Sequence, residues 1–312
     1  MNILHKEILE IPDAAAACYE KNHGLVLPTN VPYLAMGGAS YAPLTLFYCG
    51  AAIQPITASE YFHYRPQAIL PQGVLLSQSG ESSETLWCLE RFEKVIAVTN
   101  NPKSTLATSP KTVQVAPLMA GEEKFLSSTK TYVNMLIALY LGLGIDPAPG
   151  IAALKANFPK IQTEAGKNAA RIHAAIADKK QRGLYVLGSG PNAATAMHAA
   201  LILTETLCLP WHGMSLAQFD HGPKEAAVDA VVILLDGNGK DHARIDYAGK
   251  IFAEQARAHV IRIKERELAE PLTPLTLITH VCLLMDYLGD ALGVTAASRI
   301  GSKITRVPKE VH

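Results

Sequence analysis

The chain has 312 residues, 49% of them hydrophobic and 18% charged, with 28 Lys+Arg against 28 Asp+Glu. A neutral chain with no basic cluster is a poor candidate for a nucleic-acid binder, whose affinity rests on a positive surface. The length predicts two domains, each with its own core. In chain order, residues 6–22 read as an opening helix despite Pro12. A strand at 33–36 turns through Gly37-Gly38-Ala39-Ser40 into a helix near 42–53. Strands follow at 74–76, 95–99 and 113–116, and Leu86, Leu89 and Phe92 stand at helical spacing between the first two. A long helix covers 126–143. Pro147-Ala148-Pro149-Gly150 is the strongest boundary signal, so the chain divides into 1–148 and 149–312. The second half alternates helix (152–179), strand (184–187), helix (193–207), strand (230–235), helix (241–257), strand (260–263) and helix (275–292), and ends in a tail. This alternation predicts an α/β fold of parallel sheets sandwiched between helices.

The five cysteines (Cys18, Cys49, Cys88, Cys208, Cys282) are widely spaced and form no Cys-x-x-Cys pair. That argues against disulfide frameworks and zinc ribbons and for reduced thiols. Residues 1–7 lack a signal-peptide form, and no run reaches membrane-spanning length. A cytoplasmic protein without membrane or nucleic-acid partners is expected. The eleven histidines fall in no His-x-x-x-His or carboxylate–histidine cluster, so no metal is expected, and no cofactor either.

The most informative stretch is Ser77-Gln78-Ser79-Gly80-Glu81-Ser82-Ser83, where the 74–76 strand turns toward a helix. Free backbone N–H groups and serine hydroxyls at such a turn suit an anion, and they suit one phosphate monoester well because they add no charge. Such turns also serve simply as helix caps. The second half carries Leu187-Gly188-Ser189-Gly190 in the same strand–turn–helix role as residues 34–40. Its counterpart of the serine stretch is Asp236-Gly237-Asn238-Gly239, where Asp236 would repel phosphate. A dinucleotide site is disfavoured: Gly188-Ser189-Gly190-Pro191-Asn192-Ala193 lacks the third glycine, and no acidic partner follows at the usual distance.

The Ser-Gln-Ser-Gly-Glu-Ser wording resembles the phosphosugar loop of the sugar isomerase (SIS) family. The likeness continues through the 187–190 turn, a helix reaching Glu205, the Gln218-Phe219-Asp220-His221-Gly222-Pro223 stretch, and Arg299 with Lys303 four residues on. The pattern is that of the isomerase part of glucosamine-6-phosphate synthase and related double-SIS isomerases, deaminases and deglycases, and it covers residues 6–305. The resemblance implies two SIS domains, each a flavodoxin-like three-layer sandwich. It implies Glu205 as the isomerising base, His221 as the ring-opening group contributed by a neighbouring subunit, and Lys303 as a contact to the open-chain sugar. It also implies Ser40, Ser77, Gln78, Ser79, Ser82, Leu126 and Ser128 as substrate contacts, with a homodimer sharing its sites.

Residue chemistry agrees. A carboxylate on a mostly apolar helix, with His198, Ile202 and Glu205 on one face, suits proton transfer between C1 and C2, and imidazole trades protons near neutrality. The chain also departs from the family: His198 and Ile202 stand where a glutamate and a lysine are usual, and Ala39 replaces a threonine. With no N-terminal cysteine nucleophile and no room for a glutaminase domain, amide-nitrogen transfer from glutamine is not expected. The reading is a hexose or aminosugar 6-phosphate isomerase or deaminase. A fructosamine-6-phosphate deglycase and a non-catalytic sugar-phosphate sensor are the alternatives.

Overall fold

The computed structural model describes residues 2–177 and 182–294. Its strands are β1 (Pro32–Ala35), β2 (Gln54–Thr57), β3 (Leu70–Leu76), β4 (Phe92–Thr99), β5 (Thr112–Pro117), β6 (Leu184–Gly188), β7 (Trp211–Ser215), β8 (Val231–Asp236) and β9 (His259–Lys264). Its α-helices begin with α1 (Ile3–Leu9), α2 (Ile11–Lys21), α3 (Tyr41–Tyr48), α4 (Ala58–Tyr64), α5 (Ser83–Trp87) and α6 (Thr105–Thr108). They continue with α7 (Lys130–Gly142), α8 (Ala148–Ala177), α9 (Pro191–Leu207), α10 (Leu216–His221), α11 (His242–Glu254) and α12 (Thr273–Ala291).

The strands form two sheets, one of five strands in the order β2-β1-β3-β4-β5 and one of four in the order β7-β6-β8-β9. Every pairing is parallel. The inner strands are covered on both faces: β8 is buried along its whole length, and so are residues 73–76 of β3. Near-continuous apolar runs of this kind are what a doubly covered parallel sheet requires. Two compact units result. One holds Asp13–Glu123 and Lys130–Pro147, with the five-stranded sheet. The other holds the N-terminal stretch up to Pro12, the segment Lys124–Thr129 and the described chain from Ala148 onward, with the four-stranded sheet.

Several local expectations are corrected. The opening helix is two helices, because Pro12 sits in the first turn of α2, where its missing N–H costs nothing. Residues 126–129 are not helical, and α7 starts at Lys130. Phe92 does not continue a helix after α5. A 3₁₀ turn over Cys88–Arg91 intervenes, and Phe92 opens β4, fully buried, with its ring packed over Gly73 of β3. The strands β2 and β7 escaped the sequence reading. Both are edge strands, and Pro55 and Gly213 dilute their apolar pattern. Glu270–Ala291, running into α12, is long and apolar enough by composition to cross a membrane, contrary to expectation, but that window is 94% buried inside the protein. It is a core helix packed on α8 and α9.

Candidate active site

In the five-stranded sheet the strand order reverses direction between β1 and β3, the position where doubly wound folds bind ligands beyond the carboxyl ends of the strands. Register pairs Ala35 with Leu76, so the turn after β1 and the loop after β3 emerge side by side. After β1, a 3₁₀ turn over Gly37–Ser40 leads into α3, and the Ser40 hydroxyl is buried without a hydrogen-bond partner. After β3 comes the serine loop. Buried Ser77 accepts from the Gly80 N–H at 3.0 Å and lies 3.1 Å from the Ser82 hydroxyl. Ser79 Oγ accepts from the Glu81 N–H at 3.1 Å and is solvent-exposed. Gln78 is held through its carbonyl, which accepts from the Asn100 N–H at 3.1 Å and from Thr99 Oγ1 at 3.2 Å. Gly80 has φ +67°, and a Cβ there would lie 2.0 Å from Ser104 Oγ, so only glycine fits.

These contacts revise the expected anion cradle. The N–H groups of Gly80 and Glu81 are already bonded inside the loop, and α5 has only five residues, too short to rely on its dipole. Among the described residues the Ser79 and Ser82 N–H groups make no hydrogen bond inside the loop, and the Ser79 hydroxyl is engaged there only as an acceptor.

The second unit positions Glu205. α9 is bounded by Gly190 at its start and by Cys208 in a left-handed conformation at its end. It packs against β7 at Gly213, where a Cβ would lie 2.3 Å from the Ala196 carbonyl. His198 and Ile202 are fully buried on the face that carries Glu205. Burial pushes the Glu205 carboxyl above its ordinary range, and a side-chain hydrogen bond from Ser127 works against that rise. Ser127 also lies 2.9 Å from Thr206 Oγ1. Burial holds the His198 imidazole down at about 3, so the ring is neutral and its Nε2–H donates to the Ser128 carbonyl at 3.2 Å. Where the family carries a charged pair, this chain therefore has a neutral histidine and an isoleucine.

The segment Lys124–Thr129 is thus laid along α9. It brings Ser127 and Ser128 to the helix and leaves Leu126 62% exposed. Leu126 and Ser128 were expected from the sequence. Ser127, which hydrogen-bonds Glu205, lies in the 121–130 stretch that the resemblance places near the sugar, but it was not singled out as a site residue.

His221 closes α10 and is exposed. Its neighbour Asp220 is engaged by Arg244 at 2.9 Å, and no hydrogen bond links His221 to Asp220 or Glu205 among the described residues. Lys303 and Arg299 lie outside the described residues. Contrary to the sequence reading, the fold assembles a carboxylate–histidine cluster: Asp236, His242 and Asp246 converge within 4.8 Å. Arg262 and Arg266 each donate to the buried Asp236 at 2.5 Å, and Arg262 also engages Asp246. The cluster is an ion-pair network in which the cations are side chains.

The described residues thus form two parallel α/β units, one with a hydroxyl loop at its switch point and the other with a half-buried carboxylate on a core helix. No protein-family model matches the chain. By sequence it is 31% identical over 195 residues to a glutamine–fructose-6-phosphate aminotransferase (isomerizing) of Caulobacter vibrioides, covering 57% of this chain and 32% of that one. It is 27% identical over 257 residues to the Synechocystis enzyme of the same name, covering 72% and 40%. The chain thus spans about a third to two fifths of the length of these relatives. By fold it matches the C-terminal domain of glucosamine-fructose-6-phosphate aminotransferase from Francisella tularensis, with TM-score 0.76, 18% identity and 94% and 97% of the two chains covered. It also matches glucosamine-6-phosphate deaminase from Thermotoga maritima, with TM-score 0.75, 16% identity and 95% and 96% covered. The chain thus has the two-unit fold of these phosphosugar proteins and resembles the isomerizing aminotransferases in sequence over part of their length.

Proposed function

We propose that the protein is a phosphosugar isomerase acting on a hexose or aminosugar 6-phosphate, moving a proton between C1 and C2 of the open-chain sugar. The observation that carries this reading is Glu205: a half-buried carboxylate whose proton affinity is raised by burial and tempered by Ser127. A general base works best when its pKa lies near the operating pH. In this reading the serine loop, with Ser40, Ser77, Gln78, Ser79 and Ser82, holds the phosphate. Leu126 and Ser128 border the sugar. Glu205 takes the C2 proton of the aldose and returns it to C1 while the O2 hydroxyl proton passes to O1, so the carbonyl moves from C1 to C2 through an enediol with no net redox change. An amino group at C2 would make the same proton transfer the first step of deamination. His221 opens the ring from a second subunit of a cytoplasmic homodimer, and Lys303 contacts the open chain. The exposure of His221 on its own unit supports the shared-site reading. The chemistry asks for no cofactor.

The test is a panel of 6-phosphorylated aldoses, ketoses, aminosugars and fructosamines incubated with the protein in D2O. Exchange at C2, with ketose or ammonia formed, is the expected result. Free amine released from fructosamines alone would make it a deglycase. Tight binding with no exchange or release on any of them would leave a sensor.

A further inference from the structure

The segment that brings Ser127 to Glu205 is not anchored by regular structure. Lys124 to Thr129 lies between the chain of the other unit on both sides and belongs to no helix or strand. A backbone of this kind needs partners for its N–H groups. Two of them are supplied from 117 and 118 residues away: Glu7 Oε1 accepts from the Lys124 N–H at 2.6 Å and Glu7 Oε2 from the Phe125 N–H at 3.3 Å. Glu7 is 6% exposed, and these are its only hydrogen-bond donors among the described residues. Burying a carboxylate is costly unless it is well satisfied, and charge-assisted bonds to backbone N–H are the strong kind.

α1, which carries Glu7, is itself pinned. Asn2 caps it, accepting from the His5 N–H at 2.7 Å, and donates to Asp286 and Asp290 of α12, each at 3.1 Å. His5 Nδ1 lies 2.5 Å from the buried Asp286 carboxylate. The chain of contacts runs from α12 to α1, from α1 to the 124–125 backbone, and from there to Ser127 and the Ser128 carbonyl on α9.

We propose that Glu7 is a positioning residue: through α1 it clamps the backbone of Lys124 and Phe125, and so fixes Ser127 and Ser128 along α9 beside Glu205. This role rests on Glu205 being the base of the isomerase reading. The clamp itself is testable without turnover.

Two variants give opposite signs. Ser127→Ala removes a bond that lowers the Glu205 pKa and leaves the cover in place, so Glu205 should titrate at higher pH. Glu7→Ala frees the segment. Burial is the larger influence on Glu205, so losing cover outweighs losing Ser127, and Glu205 should titrate closer to an ordinary carboxylate. Carbon-13 NMR of labelled glutamate carboxyls reads both, with Glu205→Gln assigning the signal. Amide exchange of 124–128 should quicken about tenfold or more in Glu7→Ala, on the scale of one charge-assisted bond. Glu7→Gln, which keeps the shape and one good acceptor, should fall between, and it stands in if Glu7→Ala fails to fold. On a substrate found by the exchange panel, kcat/KM should follow the Glu205 titration. Unchanged segment exchange together with an unmoved or raised Glu205 titration in the Glu7 variants would overturn the clamp. Absence of C2 exchange in the wild type would overturn the isomerase reading and leave the NMR result to decide the clamp alone.

Discussion

The carboxyl ends of β3 and β8 occupy the same place in their two sheets, and they have been put to opposite uses. After β3 the loop is rich in serine and glycine, the Ser77, Ser79 and Ser82 hydroxyls pair with one another and with backbone, and the neighbouring Ser40 hydroxyl is buried without a partner. After β8 the strand ends in the buried Asp236, held by Arg262 and Arg266, and Ser189 of the neighbouring turn donates to Asp241 at 2.8 Å. The Glu270 carboxylate lies against Gly190 and Gly239, and the crevice keeps only about 10 Å³. One topological site is open to an anion. The other is filled with carboxylates that would repel it. Two sheets of like topology can thus differ in whether the crevice beyond their strands stays open, and the half-buried Glu205 stands on a helix of the unit whose crevice is closed.

The sharpest way to break this division is Glu205→Gln, which keeps the side-chain shape and removes the base. General-base catalysis contributes about 10²–10⁴-fold in rate. Turnover and C2 deuterium exchange should fall by that factor, while calorimetric affinity for the phosphosugar stays within about threefold, since a retained hydrogen bond is worth about 1 kcal/mol. Loss of binding in parallel with turnover would mean that Glu205 holds the substrate rather than reacting with it.

Acid offers a second contrast. The Glu205 unit buries two neutral histidines: His198, lowered to about 3, and His280, lowered to about 4, whose Nε2 accepts from Asn168 at 3.1 Å. His23 and His63 of the other unit are exposed. A folded pKa below the unfolded value near 6.5 means that the unfolded chain binds protons first as pH falls. The stability these groups contribute is full above about pH 6.5 and is lost on the way down to pH 4 and 3, by about 1.4 kcal/mol per pH unit for each histidine. Glu205, with its raised pKa, pulls the other way, one group against two. Trp211 sits in this unit and Trp87 in the other, so single-tryptophan variants followed by denaturant titration read each separately. The Trp211 transition should move to lower denaturant between pH 6.5 and 4 faster than the Trp87 transition. Identical shifts at both would remove the contrast.

What was legible in the sequence is what short-range chemistry writes. The apolar runs of β3, β4 and β8 are covered on both faces, the Ser77–Ser83 wording survives as a hydroxyl loop, and His198, Ile202 and Glu205 do share a helix face. What was not legible depends on distant partners. β2 and β7 are strands because a neighbour pairs with them, not because Gln54-Pro55 or His212-Gly213 favour extension. Phe92 left its apparent helical spacing because Gly73 makes room for its ring. Asp236 meets Arg262 and Arg266, and Glu7 meets Lys124, across separations that no periodicity records. The serine loop's internal bonds at Gly80 and Glu81 were equally invisible, and they shift its expected role from backbone cradle to hydroxyl cradle.

That shift sets the smallest of the expected effects. Ser77 is buried and bonded to Gly80, so removing its hydroxyl would damage the loop as well as the site. Ser79 is the cleaner probe. It is exposed, its oxygen accepts from the Glu81 N–H, and its own proton is free to be donated to a phosphate oxygen. In Ser79→Ala the Glu81 N–H turns to water, so thermal stability should stay within about 0.5 kcal/mol, as for ordinary surface substitutions. Binding loses one hydrogen bond to a charged group, worth about 1.5–3 kcal/mol, which is roughly a tenfold or greater rise in Kd for the phosphosugar. The same substitution at Ser189, the hydroxyl of the closed crevice, should leave that Kd unchanged. If Ser79→Ala and Ser189→Ala weaken phosphosugar binding equally in calorimetry, the two crevices do not differ in use, and the open loop after β3 is not where the phosphate goes.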